Sequence, residues 1–299
     1  MTVYSQIASN KAKTVLIISL FIIILSGLFF LIGNFVSDPG TFFVIGVVIS
    51  LFSSVGSYFY SDKIVLATTQ AKPVTKEEYF DLYTVVENLS IAGGIPMPRV
   101  FVIEDSAPNA FATGRNPKNA VVVATTGLLN RLDRAELEGV IAHELSHVKN
   151  YDILVSSIVG VLVGTIALVS DWVMRSMMWG GIGRDSDSRE NKNPLLYIFF
   201  ILVLLITPLV ASIIQLAVSR KREYLADASG ALLSRHPAAL ARALQKIADD
   251  PQVLKTASTS TAHLFIANPF KKTKTSSWVT SLFSTHPPIE DRIRILMDM

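Results

Sequence analysis

Val140-Ile-Ala-His-Glu-Leu-Ser-His-Val148 contains His143-Glu144-x-x-His147, the spacing of a zinc hydrolase built on a helix. At 3.6 residues per turn, positions i and i+4 share one face, so both imidazoles can reach the same ion. Glu144 lies beside the first histidine, where it can take a proton from water activated by the metal. The surroundings read as a helix. Asp133-Arg-Ala-Glu136 has the form of a capping box, and Leu137, Val140, Ile141, Leu145 and Val148 recur at helical spacing as a buried stripe.

Working outward, the composition directs attention to a membrane. The 299 residues are 50% hydrophobic and only 17% charged, with mean hydropathy +0.44, which is unusually apolar for a soluble globular chain. There is no cysteine, so a disulfide framework and a cysteine zinc site are both excluded. Metal binding falls to Asp, Glu and five histidines, at 143, 147, 236, 263 and 286. The net charge of +3 and the lack of a basic stripe interleaved with aromatics set nucleic acid aside as a partner.

Residues 14 to 37 carry no charge and are long enough to span a bilayer. Lys11 and Lys13 precede them as in a signal peptide, but the apolar run is too long and a second one, 41 to 61, follows at once across Asp38-Pro39-Gly40. Residues 62 to 152 are of ordinary soluble character. Thr75-Lys-Glu-Glu78 reads as a capping box opening a helix towards Gly93-Gly94, and Arg99 to Ile103 and Asn119 to Ala124 read as strands. Between them, Pro108 to Gly114 could form a short strand at the sheet edge. Two more apolar runs, from Ile153 to Ser170 and from Pro194 to Ser219, the latter with Pro208 as a kink, complete a second hairpin.

The predicted organisation is therefore an α-helical membrane protein with a cytoplasmic α+β domain. Its parts are a transmembrane hairpin (1–61), a segment with the small sheet and HExxH helix (62–152), a second hairpin (153–219) and a C-terminal segment (220–299). Lys11, Lys13, Lys63, Lys149 and Arg220-Lys221-Arg222 fall on one side of the four spans, which predicts cytoplasmic termini and a cytoplasmic active site.

A catalytic zinc usually keeps three protein ligands. Asn150 and Ile153 stand where a metzincin would have glycine and a third histidine, which excludes that branch. Glu223, in Arg222-Glu-Tyr-Leu-Ala-Asp227, is the candidate third ligand, with Asp227 on the same helix face to accept the outer N–H of a ligand histidine. Glu136 and Glu138 compete on sequence proximity, but they share the histidines' own helix, and a separate helix suits a three-sided site better. The plainer reading has Glu223 and Asp227 balancing Arg220, Lys221 and Arg222 on a solvated face. His286, in Ser284-Thr-His-Pro-Pro288, either precedes an N1 proline or donates to a developing oxyanion. His236 and His263 read as structural or exposed.

The ordered set of two N-terminal spans, HELSH, two further spans, Arg-Glu-x-x-x-Asp and Thr-His-Pro-Pro resembles the HtpX heat-shock protease family, membrane zinc endopeptidases related to the CAAX-prenyl endopeptidases. The resemblance implies a zincin-like protease domain of gluzincin type, with one zinc ion held by His143, His147 and Glu223. It also implies Glu144 as general base, Asp227 as the acid behind a ligand, and Asn109 and His286 holding the peptide backbone or oxyanion. The implied substrates are misfolded or damaged membrane proteins, cleaved at the plasma or cell inner membrane in quality control under stress. Two other readings compete: a site-2-type intramembrane metalloprotease, and a non-catalytic scaffold or transporter with a structural metal. Arg131, Asp133, Arg134, Glu136 and Glu138 beside the motif oppose the first, because such charges are costly in lipid. The near-absence of ionisable residues within the spans opposes transport.

Overall fold

A computed structural model describes residues 3–35, 38–178, 220–258, 260–269 and 287–299. Two long helices, α1 (Val3–Phe35) and α2 (Pro39–Thr68), form the N-terminal hairpin. Asp38 caps α2 by accepting from the Thr41 N–H, and Pro39 follows at the first helical position, where its missing N–H costs nothing. Helix α2 runs past the uncharged stretch, through Asp62 and Lys63, to Thr68. A third long helix, α6 (Asp152–Met178), packs against both.

These three are long and apolar enough to cross a membrane. Ile17, Phe21, Leu25 and Phe29 of α1 interlock with Leu154, Ile158, Leu162 and Ile166 of α6. The buried face of α2 is instead a row of small residues, Gly46, Ser50, Ser54, Ser57 and Ser61, which lets helices approach closely where lipid supplies no hydrophobic drive. Their other faces leave large apolar side chains bare, among them Ile23, Phe52 and Leu168. The fourth predicted span and its proline kink lie outside the described residues.

The globular part is built on a sheet of order β1-β2-β4-β3, with β1 (Lys72–Pro73), β2 (Arg99–Ile103), β3 (Ala110–Thr113) and β4 (Val121–Thr125). β2 and β4 run parallel, and β3 is the antiparallel edge strand predicted beside them. Side chains alternate between two cores. Val100, Val102, Ala112, Val122 and Ala124 face the helices α3 (Phe80–Gly93) and α5 (Arg134–Lys149). Phe111, Val121 and Val123 face Val65 and Leu66 at the end of α2, and Leu254, Leu264 and Phe265. Burial on both sides explains why β4 reads as an unbroken apolar run rather than an alternating one.

Helix α3 begins later than its capping box predicts. Glu78 does accept from the Thr75 N–H, at 2.9 Å, but residues 76–78 form turns and the regular helix starts at Phe80. A short helix α4 (Thr126–Arg131) leads into α5. In the C-terminal part, α7 (Arg220–Ser234) and α8 (Pro237–Asp249) pack over α5, and α9 (Ile289–Met297) packs on α7 and α8.

Candidate active site

Helix α5 starts as its sequence dictates. Asp133 Oδ1 accepts from the Glu136 N–H at 2.9 Å, and Glu136 Oε2 accepts from the Asp133 N–H at 3.0 Å. Glu136 is further held by Lys246 at 2.7 Å, and Glu138 by Arg134 at 3.6 Å, so both competitors for the third-ligand role are engaged elsewhere. The apolar stripe turns Val140, Ile141 and Leu145 into the core and leaves His143, Glu144 and His147 facing a cleft. That cleft is also lined by Ala112, Asp152, Ser156, Arg222, Glu223 and the segment His263–Ile266.

Helix α7 delivers the remaining groups. It crosses α5 at Gly230, where a Cβ would come within 2.9 Å of the His143 backbone nitrogen, so only glycine lets the backbones approach this closely. The crossing brings Glu223 Oε1 to 3.5 Å from His147 Nε2, and Glu223 Oε2 to 3.9 Å from His143 Nε2. One ligand atom each from His143, His147 and Glu223 lies within 4.8 Å of the others.

Both rings are anchored at Nδ1. His143 Nδ1 lies 2.9 Å from Asp227 Oδ1, and His147 Nδ1 lies 3.0 Å from Asp152 Oδ2. A ring that donates from Nδ1 to a carboxylate carries its lone pair on Nε2. The two Nε2 atoms stand 3.2 Å apart, an arrangement that is repulsive unless a cation or proton lies between them. Two nitrogen ligands of a tetrahedral zinc, each at about 2.0–2.1 Å, would be about 3.3 Å apart. The donor set therefore fits zinc.

The electrostatics separate the groups. Burial pushes the Glu144 carboxyl up, to about 7; His147 opposes the shift and Glu223 adds to it, while the Ala112 backbone N–H bonds to the carboxylate. Burial lowers His143 despite Asp227. For His147 in the metal-free protein, burial acts downward, but the hydrogen bond to Asp152 and the charge of Glu223 override it and raise the ring to about 9, so without a metal its Nε2 carries a proton near neutral pH. Asp227 is desolvated too, yet Arg292, bonded at 2.7 and 2.8 Å, holds its carboxyl down at about 2.

Arg292, Asp152 and Asn10 escaped the sequence reading, and the cleft position of His263 did too. Arg292 is 1% exposed; it binds Asp227 with two nitrogens and the Ile266 carbonyl with a third, at 3.1 Å. The stripe Ile289, Ile293 and Leu296 predicted α9 but gave no sign that Arg292 turns inward. His263 is buried, with Nε2 2.9 Å from the Ser156 carbonyl, whereas His236 is exposed just before α8. Asn109 is buried at the start of β3; its amide donates to the Ala267 carbonyl at 3.1 Å. His286 lies outside the described residues.

A helix-borne HExxH pair with a carboxylate from a second helix, set beside three membrane-length helices, defines a membrane-bound metalloprotease. Residues 77–299 match peptidase family M48. The Protease HtpX homolog of Tropheryma whipplei strain Twist is 45% identical over 296 residues, 99% of this chain and 98% of that protein. The Protease HtpX homolog of Thermoanaerobacter pseudethanolicus is 44% identical over 300 residues, 100% of this chain and 98% of that one. The crystal structure of S. mikatae Ste24p is similar at 20% identity, over 98% of this chain and 67% of that one, with a TM-score of 0.49. The chain belongs to peptidase family M48.

Proposed function

We propose that His143, His147 and Glu223 hold one zinc ion per chain and that Glu144 moves the proton in peptide-bond hydrolysis. The observation that carries this reading is the pair of Nδ1-anchored imidazoles, whose Nε2 atoms face each other at 3.2 Å beside Glu223. Zinc bound there supplies a Lewis acid that acidifies water and polarises a peptide carbonyl. Glu144, which faces the same cleft, accepts the proton from the attacking water and passes it to the leaving amine. Water and peptide are thereby converted to a free acid and a free amine, and Glu144 ends as it began. Asp227 and Asp152 keep each ring in the tautomer that points its lone pair inward.

The substrate backbone meets the outer edge of β3. Ala110 already accepts from the Ile266 N–H at 2.9 Å, and the Gly114 N–H donates to Ser157 at 3.1 Å. Between them Ala112 turns its N–H to Glu144. In a strand the N–H and C=O of one residue face the same edge, so the Ala112 carbonyl is presented to an incoming strand. Asn109 serves substrate binding by fixing the Ile266–Ala267 wall of this cleft. For His286 the proposed role is donation to the oxyanion, resting on its place before the helix that carries Arg292.

The finer architecture belongs to the same proposal: four spans in two hairpins, domain limits at 61, 152 and 219, and a gluzincin-type cytoplasmic domain. The side that carries Lys11, Lys13, Lys63, Lys149 and the run Arg220–Arg222 is cytoplasmic, active site and termini included. Recognition through backbone suits misfolded or damaged membrane proteins as substrates. The test is proteolysis of an unfolded substrate by the detergent-purified chain, with metal quantified, for wild type, Glu144→Gln and Glu223→Ala. The expected result is zinc-dependent cleavage, lost in Glu144→Gln with zinc retained and lost in Glu223→Ala with zinc. Cleavage by zinc-loaded Glu144→Gln would remove Glu144 from its role; stoichiometric zinc in Glu223→Ala would remove Glu223.

A further inference from the structure

The carboxylate behind His147 is held in part from outside the globular domain, by the first membrane helix. Asp152 opens α6, immediately after the joint where α5 ends at Asn150 and Tyr151 takes a left-handed φ of 60°. A non-glycine residue in that conformation costs about 1–2 kcal/mol, so the joint must be held by its surroundings. The group that reaches it comes from the first membrane helix. Asn10 Nδ2 donates to the Asn150 carbonyl at 2.9 Å and to Asp152 Oδ1 at 2.8 Å. Asn10 Oδ1 accepts from Arg222 Nη1 at 3.2 Å, and the same Nη1 lies 3.1 Å from Asp152 Oδ1. On the next residue of α1, the Lys11 ammonium sits 5.6 Å from the Tyr151 ring centroid.

Asn10 is 2% exposed just before the uncharged run of α1, and Asp152 is 6% exposed at the head of α6. A buried polar group in such a place is retained only where its bonds are made. Here the side-chain bonds run to the joint, to the carboxylate whose other oxygen, Oδ2, binds His147 Nδ1, and to Arg222, which itself binds that carboxylate. Asp152 Oδ1 receives Asn10 and Arg222, which leaves Oδ2 for the ring.

We propose that Asn10 on the first membrane helix is a positioning residue of the metal site: it fixes the α5–α6 joint and the Asp152 carboxylate, and through them the orientation of His147. The inference rests on the zinc reading above. It makes seating α1 against α6 and completing the hydrolytic site a single event, so a chain whose first span is not in place has one ligand unoriented.

The test uses the full-length chain in detergent and reads zinc affinity by competition with a chromogenic chelator, together with metal-free melting temperature, kcat and KM. The variants are Asn10→Ala, Asn10→Leu, Asp152→Asn, the Asn10→Ala/Asp152→Asn double, and Ile17→Ala, which cuts into the same α1–α6 packing without touching a polar group. Removing an outer partner of a metal ligand typically weakens metal binding about 10–100-fold, and that loss is expected in Asn10→Ala and Asn10→Leu, with kcat falling and KM holding. Ile17→Ala should lower the melting temperature and leave zinc affinity unchanged. The double variant should bind zinc no more weakly than Asp152→Asn, because Asn10 acts through that carboxylate. If Asn10→Ala folds poorly, Asn10→Leu, which keeps the packed volume, decides. Wild-type affinity in both Asn10 variants overturns the proposal, as do losses that multiply in the double variant, or a loss in Ile17→Ala equal to theirs. Failure of the zinc reading looks different: wild type would bind no zinc, or His147→Ala would retain it.

Discussion

The two histidines of one motif are braced by two different regions of the molecule. His143 is backed by Asp227 of α7 and Arg292 of α9, a pair with both members at least 98% buried and drawn from the globular C-terminal part. His147 is backed by Asp152 at the head of α6, itself held by Asn10 of α1 and by Arg222 of α7. The environments then pull the rings apart. Desolvation dominates at His143 and lowers it, whereas at His147, with its side chain 15% exposed, the carboxylates win and raise it to about 9. Equal spacing on a helix thus gives two unequally held imidazoles, one backed by a buried ion pair and one tied through Asp152 to α6 and α1.

Glu144 stands between the arms and supports neither, so it is where the comparison is cut most sharply. Glu144→Gln should lower kcat by roughly 10²–10⁴-fold while zinc content and melting temperature stay at wild-type values. A parallel loss of zinc would show that Glu144 does hold an arm.

Breaking the arms themselves should give unequal costs. Arg292→Ala strands the Asp227 carboxylate in the core, and losing one partner of a buried pair costs about 3–5 kcal/mol. Arg222 is partly solvated and shares Asp152 with Asn10, so Arg222→Ala should cost only about 1 kcal/mol. Melting temperatures of the two metal-free variants measure the difference; equal losses would mean that the arms are equivalent.

Acid should dismantle the His143 arm in a defined window. Asp227 is depressed from 3.8 to about 2, so its stabilising contribution is complete above about pH 4 and disappears as pH falls towards 2. A shift of that size corresponds to about 2 kcal/mol. Metal-free wild type should lose melting temperature across that window, and Arg292→Met, lacking the cause of the shift, should lack that portion of the slope. The smallest expected effect is at Glu138, whose side chain pairs with Arg134 at the surface. Glu138→Gln should change stability by less than about 0.5 kcal/mol and leave zinc binding alone, whereas a loss of metal would reinstate it as a ligand.

Much of this protein could be read before it was folded. The capping box at Asp133 and Glu136, the edge strand between Arg99–Ile103 and Asn119–Ala124, and three apolar helices follow from short-range rules, because capping, alternation and span length involve neighbours a few residues apart. Glu223 and Asp227 could be nominated because i and i+4 share a helix face. The start of α3 was misplaced by the same kind of rule: the Thr75–Glu78 bond forms, but as part of a turn.

The remainder lies in distances that no local pattern contains. Asn10 meets Asp152 across 142 positions, Arg292 meets Asp227 across 65, and Asn109 meets Ala267 across 158. An Asn in a membrane-length helix and an Arg in an amphipathic one look the same in sequence whether they face solvent, lipid or a carboxylate. Sequence by itself determined which groups the helix gathers, since HExxH spacing brings two imidazoles and a carboxylate to the cleft side of α5. Only the tertiary structure decided how those groups are held, because desolvation and charge pairing depend on which distant elements pack around them.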